Sequence, residues 1–368
     1  MSGQISMKIL CAIIKQNGQS IRRQIDESFS LRRGRVYRGP CSPGERSGYI
    51  GSHVVRALLD KGYGVVVLDN LSTGHRQSVP EGAALEVGDI RDAACLERLF
   101  LRHEVDCVMH FCANSLVGES MEKPIEYYDN NVYGTLCLLR SMVNTDIKHY
   151  IFSSTAATYG EPERLPIDED TPKHPTNTYG ETKLAVEKML HWMEVAYGLH
   201  YKVFRYFNAS GAHPSGEIGE DHAPETHLIP LILKTAQGIR DKIYVFGDDY
   251  DTPDGSCIRD YIHVMDIAEA HILGMEDLVK SETSDVYNLG NGNGFSVLEV
   301  IEKVKAVTGK DFEVEITDRR AGDPGVLIAS SEKAQKALGW SPVNSSLEYI
   351  IETAWKWHQG HPEGYGLV

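Results

Sequence analysis

Gly48-Tyr49-Ile50-Gly51-Ser52-His53-Val54-Val55-Arg56-Ala57-Leu58-Leu59-Asp60-Lys61-Gly62-Tyr63-Gly64-Val65-Val66-Val67-Leu68-Asp69 is the stretch on which the fold turns. Val54, Val55, Leu58 and Leu59 recur at helical spacing, which predicts a helix with one apolar face. Gly62-Tyr63-Gly64 breaks it, and Val65 to Leu68 is a short, wholly apolar run of the kind found in strands buried on both sides. The strand closes on Asp69, 18 residues after Gly51. Glycines at a helix start admit phosphate to the helix N-terminus, and an acid ending the next strand accepts ribose hydroxyls. Asp69 could merely cap its strand, but its place after Gly-x-x-Gly favours the ribose.

The alternation continues along the chain. Leu85-Glu86-Val87 leads to Gly88-Asp89-Ile90 and a helix over about 92–102. Val105 to Phe111 is the next strand and 124–144 a long helix, followed by strand 150–153, helix 179–197 and strand 202–207. Repeated strand–helix pairs with apolar strands mean an α/β fold built on a parallel sheet covered on both faces. After Asn208 the texture turns to loops rich in Gly, Pro, His and Asp between shorter elements, read as a smaller portion that binds substrate.

Composition excludes several classes. The chain has 368 residues and a net charge of −15, which argues against non-specific nucleic-acid binding. No apolar run approaches the roughly 20 residues a membrane helix needs. Seven cysteines without Cys-x-x-Cys spacing fit structural thiols in a reducing, cytoplasmic setting. The fifteen histidines show no metal-ligand spacing such as His-x-x-x-His beside a carboxylate, so no metal is expected. Charge is uneven: residues 1–47 carry nine basic and three acidic side chains against 28 and 49 in the remainder.

Tyr179-Gly180-Glu181-Thr182-Lys183 carries the chemistry. On a helix, positions i and i+4 share a face, so phenol and ammonium can meet. A cation beside a tyrosine favours the phenolate, which suits the pair to moving a proton on or off an alcohol. Such a pair alone is common on solvated helices. Its context is Tyr150-Ile151-Phe152 running into Ser153-Ser154-Thr155-Ala156, a hydroxyl at a strand's C-terminal end, where open α/β sheets bind ligands. Thr155 taken by itself reads rather as satisfying a turn, and Arg259 could be a plain surface ion pair.

Taken together, these stretches resemble the UDP-glucose 4-epimerase branch of the extended short-chain dehydrogenase/reductase family. Val117-Gly118-Glu119-Ser120, Asn130-Asn131-Val132, Arg205-Tyr206-Phe207-Asn208, Arg259-Asp260-Tyr261-Ile262-His263-Val264, Asn288-Leu289-Gly290 and Arg319-Arg320-Ala321-Gly322-Asp323 extend the likeness from about residue 48 to the C-terminus. The resemblance implies a Rossmann-like doubly wound parallel sheet over 48–207 that binds NAD. It also implies a smaller mixed α/β substrate-binding domain over 208–368, some of whose segments return to the first. Gly48, Tyr49, Ile50 and Gly51 would lie by the cofactor pyrophosphate, Asp69 and Asn70 by the adenosine ribose, and Asp89 and Ile90 by the adenine. Phe111, Cys112, Ala113, Ser115, Asn131, Lys183 and Phe207 would complete that site; the family often has lysine where Ser115 stands. Asn208, His227, Leu228, Tyr244, Phe246, Arg259, Arg320 and Asp323 would hold the UDP-sugar, two arginine forks suiting a pyrophosphate. His227 reads otherwise as a packed loop histidine.

The resemblance also implies the reaction. Tyr179, ionised beside Lys183, removes the 4-hydroxyl proton, and hydride passes to NAD. The 4-keto sugar turns over with its UDP anchored, and hydride returns to the opposite face. Thr155 would bond the 4-oxygen. UDP-glucose and UDP-galactose would interconvert, in a homodimer formed through helices 124–144 and 179–197. Two further readings stay open. A nucleotide-sugar 4,6-dehydratase or decarboxylase is disfavoured by Ala156-Ala157, where dehydratases carry Asp-Glu. A non-catalytic nucleotide-sugar binder is raised by a break in the glycine turn: Glu45 and Arg46 stand where the family has glycines, and Gly44 is one residue out of register. Residues 7–14 resemble the family's first strand, separated from Gly48 by a basic, aperiodic segment that reads as an insertion or as a frame-shift or start artefact.

Overall fold

The computed structural model describes residues 9–10, 48–72, 75–222, 224–320 and 323–366. The first part of the chain alternates strands and helices: β1 (Ile9–Leu10), α1 (Tyr49–Asp60), β2 (Val66–Asp69), β3 (Ala84–Val87), α2 (Ala93–Arg102), β4 (Cys107–His110), α3 (Val117–Glu122), α4 (Pro124–Tyr127), α5 (Thr135–Asn144), β5 (His149–Thr155), α6 (Thr178–Tyr197) and β6 (His200–Tyr206). Then follow β7 (Asn208–Ser210), α7 (Leu228–Ala236), β8 (Lys242–Phe246), β9 (Ile258–Arg259), β10 (Tyr261–His263), α8 (Val264–Ser281), β11 (Asp285–Leu289), β12 (Phe295–Ser296), α9 (Val297–Thr308), β13 (Glu313–Thr317), β14 (Val326–Leu327), α10 (Glu332–Leu338) and α11 (Leu347–Gly360).

The central sheet has the order β1-β4-β5-β6-β11, every neighbouring pair parallel. β2 and β3 form a separate parallel pair. Cys107, Val108, Met109, Tyr150, Ile151, Phe152, Val203 and Phe204 are buried, as parallel strands with helices on both faces require. The fold is therefore α/β and Rossmann-like. β1 pairs Ile9 with Cys107 and Leu10 with Val108. The rest of the expected first strand, and the Gly44-Glu45-Arg46 turn, lie outside the described residues.

One expected element differs. The long helix over 124–144 is broken by a wide π turn at Tyr128–Gly134 between α4 and α5. A wider turn re-aims the side chains within it, and Asn131 in that turn is buried inward. By contrast α6 runs unbroken. Asn177 caps it by accepting the Gly180 N–H at 2.8 Å, and Gly198 ends it at φ 62°.

Two apolar cores result. The larger joins the central sheet to α1, α2, α5, α6 and α8, and includes Ile262, Ile267, Met275 and Leu289 from beyond residue 208. The smaller gathers Ile229, Leu233, Val245, Tyr261, Val300, Val304 and Ile350 around α7, α9 and α11. Between them, short ladders continue the C-terminal side of the sheet: β7 with β10, and β9 with β12 and β14.

Candidate active site

Neighbouring strands end side by side. His110 of β4 pairs with Phe152 of β5, and Thr155 of β5 pairs with Tyr206 of β6. The C-terminal edge therefore presents Phe111 to Ala113, then Thr155, then Phe207 and Asn208, in a row between two hollows.

The first hollow lies over the start of α1 and the ends of β2 to β4. Two adjoining spaces of about 390 and 410 Å³ share Asp69 and Cys112. Gly48, Gly51, Ser78 and Phe111 line one, and Asn70, Asp89, Ile90, Ala113 and Asn130 the other. Gly48 carries no side-chain cap and no acid sits in the first turn of α1, so N–H groups and the positive end of the dipole face the hollow. A Cβ on Gly48 would lie 3.4 Å from Ser78 Oγ, and one on Gly51 3.6 Å from Phe111. Side chains there would fill the cradle, so these residues fit a dinucleotide whose diphosphate meets the helix start. Asp69 accepts the Leu71 N–H at 2.7 Å through Oδ1, and burial pushes its carboxyl up from the usual range.

Several expected cofactor residues also have partners within the chain. The Tyr49 ring is buried and its hydroxyl donates to the Gly211 carbonyl at 2.7 Å, so only its backbone is offered to the hollow. Both Asp89 oxygens are engaged: Oδ1 by the backbone N–H and Nε of Arg91 at 2.8 and 2.9 Å, Oδ2 by Arg91 Nη2 and Asn70 at 2.6 and 3.1 Å. Burial would raise this acid, but the Arg91 and Asn70 hydrogen bonds hold it at about 2. Asn131 is spent as a strut. It takes the Asn114 N–H at 2.7 Å and donates to the Asn114 carbonyl and to Thr182 at 2.9 and 3.0 Å. It thereby fixes the Phe111–Ser115 loop against α6, while Ser115 is exposed at the loop's end.

At the middle of the row, Lys183 is 4% exposed and its ammonium donates to the Ser153 carbonyl at 2.7 Å. It lies 5.8 Å from the Tyr179 ring centroid and 4.8 Å from that of Phe152. Burial lowers its pKa to about 8. Tyr179 is 9% exposed, its backbone N–H bonded to Ser120 Oγ at 3.1 Å. Thr155 Oγ1 accepts the Ala157 N–H at 3.1 Å and caps the short turn Ala156–Thr158. That leaves its O–H free to be aimed elsewhere, so turn-making and ligand contact are compatible.

The second hollow is a cleft of about 1220 Å³ lined by Asn208, His227, Leu228, Tyr244, Phe246, Arg259, Arg320 and Asp323. Arg259 pairs with Asp323, and its Nη1 donates to the Ile258 carbonyl at 2.9 Å. The Arg320 guanidinium stacks 3.8 Å from the Phe246 ring centroid. Asn208 Nδ2 donates to the Asp260 carbonyl at 2.9 Å. Glu220, Thr226 and Arg240 also line the cleft. No periodicity singles these three out, because they sit in loops.

Sequence reasoning also missed a buried charge network one turn beyond Lys183. Arg205 holds Glu187 in a two-pronged pair, with Nε 3.0 Å from Oε1, and both side chains are under a tenth exposed. Ser154 Oγ donates to the same carboxylate, and Arg205 donates to Tyr159 Oη at 2.8 Å, which donates on to Asn288 at 2.7 Å. The network locks α6 to the ends of β5, β6 and β11.

Known proteins share this fold. The NAD dependent epimerase/dehydratase family matches residues 46–290. The UDP-glucose 4-epimerase of Halalkalibacterium halodurans is 59% identical over 319 residues, 87% of this chain and 95% of that protein. The crystal structure of UDP-glucose 4-epimerase from Brucella ovis in complex with NAD is 48% identical, with a TM-score of 0.82 over 84% of this chain and 95% of that one. The Bifidobacterium longum UDP-glucose 4-epimerase in complex with NAD+ and UDP is 40% identical, with a TM-score of 0.81 over 87% of this chain and 98% of that one.

Proposed function

We infer the part each side chain plays from one premise: the chain belongs to the NAD dependent epimerase/dehydratase family, and it is an NAD-dependent enzyme that interconverts UDP-glucose and UDP-galactose at C4. Gly48, Gly51 and the first turn of α1 hold the cofactor diphosphate, Asp69 a ribose, and Phe111 to Ala113 with Phe207 the path to the nicotinamide end. When bound, NAD supplies a hydride acceptor at the sugar's C4 and a donor in the return step, so no net oxidation results.

The remaining work belongs to the chain. Tyr179 takes the proton of the 4-hydroxyl and later returns one, its phenolate favoured by the Lys183 ammonium that Ser153 holds in place. The Thr155 hydroxyl orients the 4-oxygen. Arg259 and Arg320 clamp the UDP diphosphate, so the sugar can turn over as a 4-keto species without leaving. The observation that carries this assignment is the buried Lys183 ammonium, fixed to strand β5 and facing the ring of Tyr179. Denaturing purified protein and identifying the released nucleotide, alongside a UDP-galactose turnover assay, tests it. Released NAD with turnover supports the reading. UDP binding without NAD or turnover, even after NAD is added, would leave a nucleotide-sugar binder instead.

The same reading includes a homodimer. Ile125, Tyr128, Tyr133 and Leu136 along α4, the π turn and α5, and Trp192 and Val195 on α6, are large apolar side chains left exposed. Two such helices per subunit suit a symmetric four-helix contact. Light scattering on wild type and Trp192→Asp tests it, with a dimer expected to become a monomer. Among the described residues no helix is long and apolar enough to cross a membrane. With Cys95, Cys107, Cys137 and Cys257 present as thiols, a cytoplasmic setting is the reading we adopt.

A further inference from the structure

We propose that Glu220, His222, Glu225 and His227 form a closed binding site for one divalent transition-metal ion, zinc in the first instance, which fastens the loop entering α7. The four residues follow a Glu-x-His-x-x-Glu-x-His spacing in a loop ahead of α7, against the expectation from the sequence that the chain holds no metal. One ligand atom from each lies within 4.8 Å of all the others. His227 Nδ1 is 2.9 Å from Glu220 Oε1 and 3.0 Å from Glu225 Oε1, and His222 Nδ1 is 3.2 Å from Glu220 Oε1 and 3.5 Å from Glu225 Oε2. Zinc with nitrogen and oxygen ligands at about 2.0–2.2 Å places tetrahedral ligand atoms about 3.3–3.6 Å apart, and His222 Nδ1 lies 3.2 and 3.5 Å from the two carboxylates.

Two features point to a ligand at the centre. His222 Nδ1 and Glu225 Oε2 are shut off from solvent and face charged members of the cluster, each other at 3.5 Å and, for the nitrogen, Glu220 Oε1 at 3.2 Å, contacts that lack hydrogen-bond geometry. The other Glu225 oxygen is oriented by the N–H groups of Thr226 and His227 at 2.8 and 2.9 Å, the support from behind that metal carboxylates ordinarily have. Two carboxylates neutralise a dication, and two imidazoles without thiolate suit zinc, cobalt or nickel over magnesium or calcium. Four protein ligands leave no open position, so the role is structural.

The place gives the ion a purpose. The His222 ring stands edge-on to Tyr49 at the start of α1, with centroids 6.5 Å apart, while Glu220 and His227 border the UDP-sugar cleft. An ion here would tie the cofactor end of α1 to the first residue of α7, Leu228.

The test uses the purified enzyme with its bound nucleotide, dialysed against a chelator. Zinc is titrated by calorimetry, and cobalt is added separately to record its visible absorption. We expect one zinc per chain, the intense visible bands of tetrahedral cobalt, no displacement by excess magnesium, and affinity weaker by on the order of 100-fold in His222→Gln and Glu225→Gln. Zinc binding equally well to both variants and wild type would overturn the site, as an adventitious surface ion. So would a six-coordinate cobalt spectrum in wild type, which needs no variant to fold.

Discussion

The Lys183 ammonium donates to the main-chain carbonyl of Ser153, 2.7 Å away, so the cation is tied to strand β5 and not only to its own helix. Thr155 lies two residues on in the same strand, and the Tyr179 ring centroid is 5.8 Å from the ammonium. Proton acceptor, cation and oxygen-orienting hydroxyl are thus set by one helix–strand contact.

Replacing the Tyr179 hydroxyl should cut turnover sharply without unfolding the chain. Tyr179→Phe is expected to lower kcat by roughly 10²–10⁴-fold, the usual contribution of a positioned acid–base group. Its bound NAD and melting temperature should stay close to wild type. Full activity in this variant would remove tyrosine from the proton path.

Burial of Lys183 makes a stability prediction of definite sign. Its pKa is about 8 in the folded chain against 10.5 for the free side chain. Between these values the unfolded state binds more protons, so folding stability rises with pH. In nucleotide-free protein, wild type should gain about 3 kcal/mol over Lys183→Met between pH 8 and 10.5, and the difference should be flat below pH 8. Urea melts of both proteins across that range measure it, and a constant gap would show the lysine is not desolvated.

On the substrate side, Arg259 and Arg320 should act on binding more than on chemistry. Losing one charged hydrogen-bonding fork costs about 1.5–3 kcal/mol, or roughly 10- to 100-fold in UDP affinity. Arg320→Ala should raise the Kd for UDP by that amount. Arg259→Lys should also bind less well than wild type, because an ammonium cannot present two parallel donors to phosphate and to Asp323. Calorimetric titration with UDP checks both.

The parts of the molecule visible in the sequence were those fixed by local period. Val65 to Leu68 reads as a buried strand because nothing polar interrupts it, and Tyr179 and Lys183 share a face because α6 is unbroken. The cleft residues from Asn208 to Asp323 came from likeness to a family, since β7, β9, β10 and β14 are too short to show a period. Asn131 was visible as a residue but not as a strut, because a π turn within a helical pattern sets its direction. Asp89 gave no sign of being saturated by Arg91, a side-chain fold-back between residues two apart. The Glu187–Arg205 pair depends on how α6 crosses β6, information that neither segment carries alone.

That pair yields the last prediction. Glu187 is buried with Arg205, and Ser154, Tyr159 and Asn288 complete its hydrogen bonds. Removing one member strands a buried charge, which typically costs about 3–5 kcal/mol, whereas the pair as a whole adds little net stability. Glu187→Ala should therefore lower stability by that amount, and Glu187→Ala combined with Arg205→Met should recover much of it. Because Glu187 stands one turn beyond Lys183 on the same face of α6, the single variant should also loosen the ammonium from Ser153 and lower kcat more than it raises KM. Paired denaturation curves and steady-state kinetics on the two variants decide this: equal losses in single and double variants would mean the pair contributes packing and not a compensated charge.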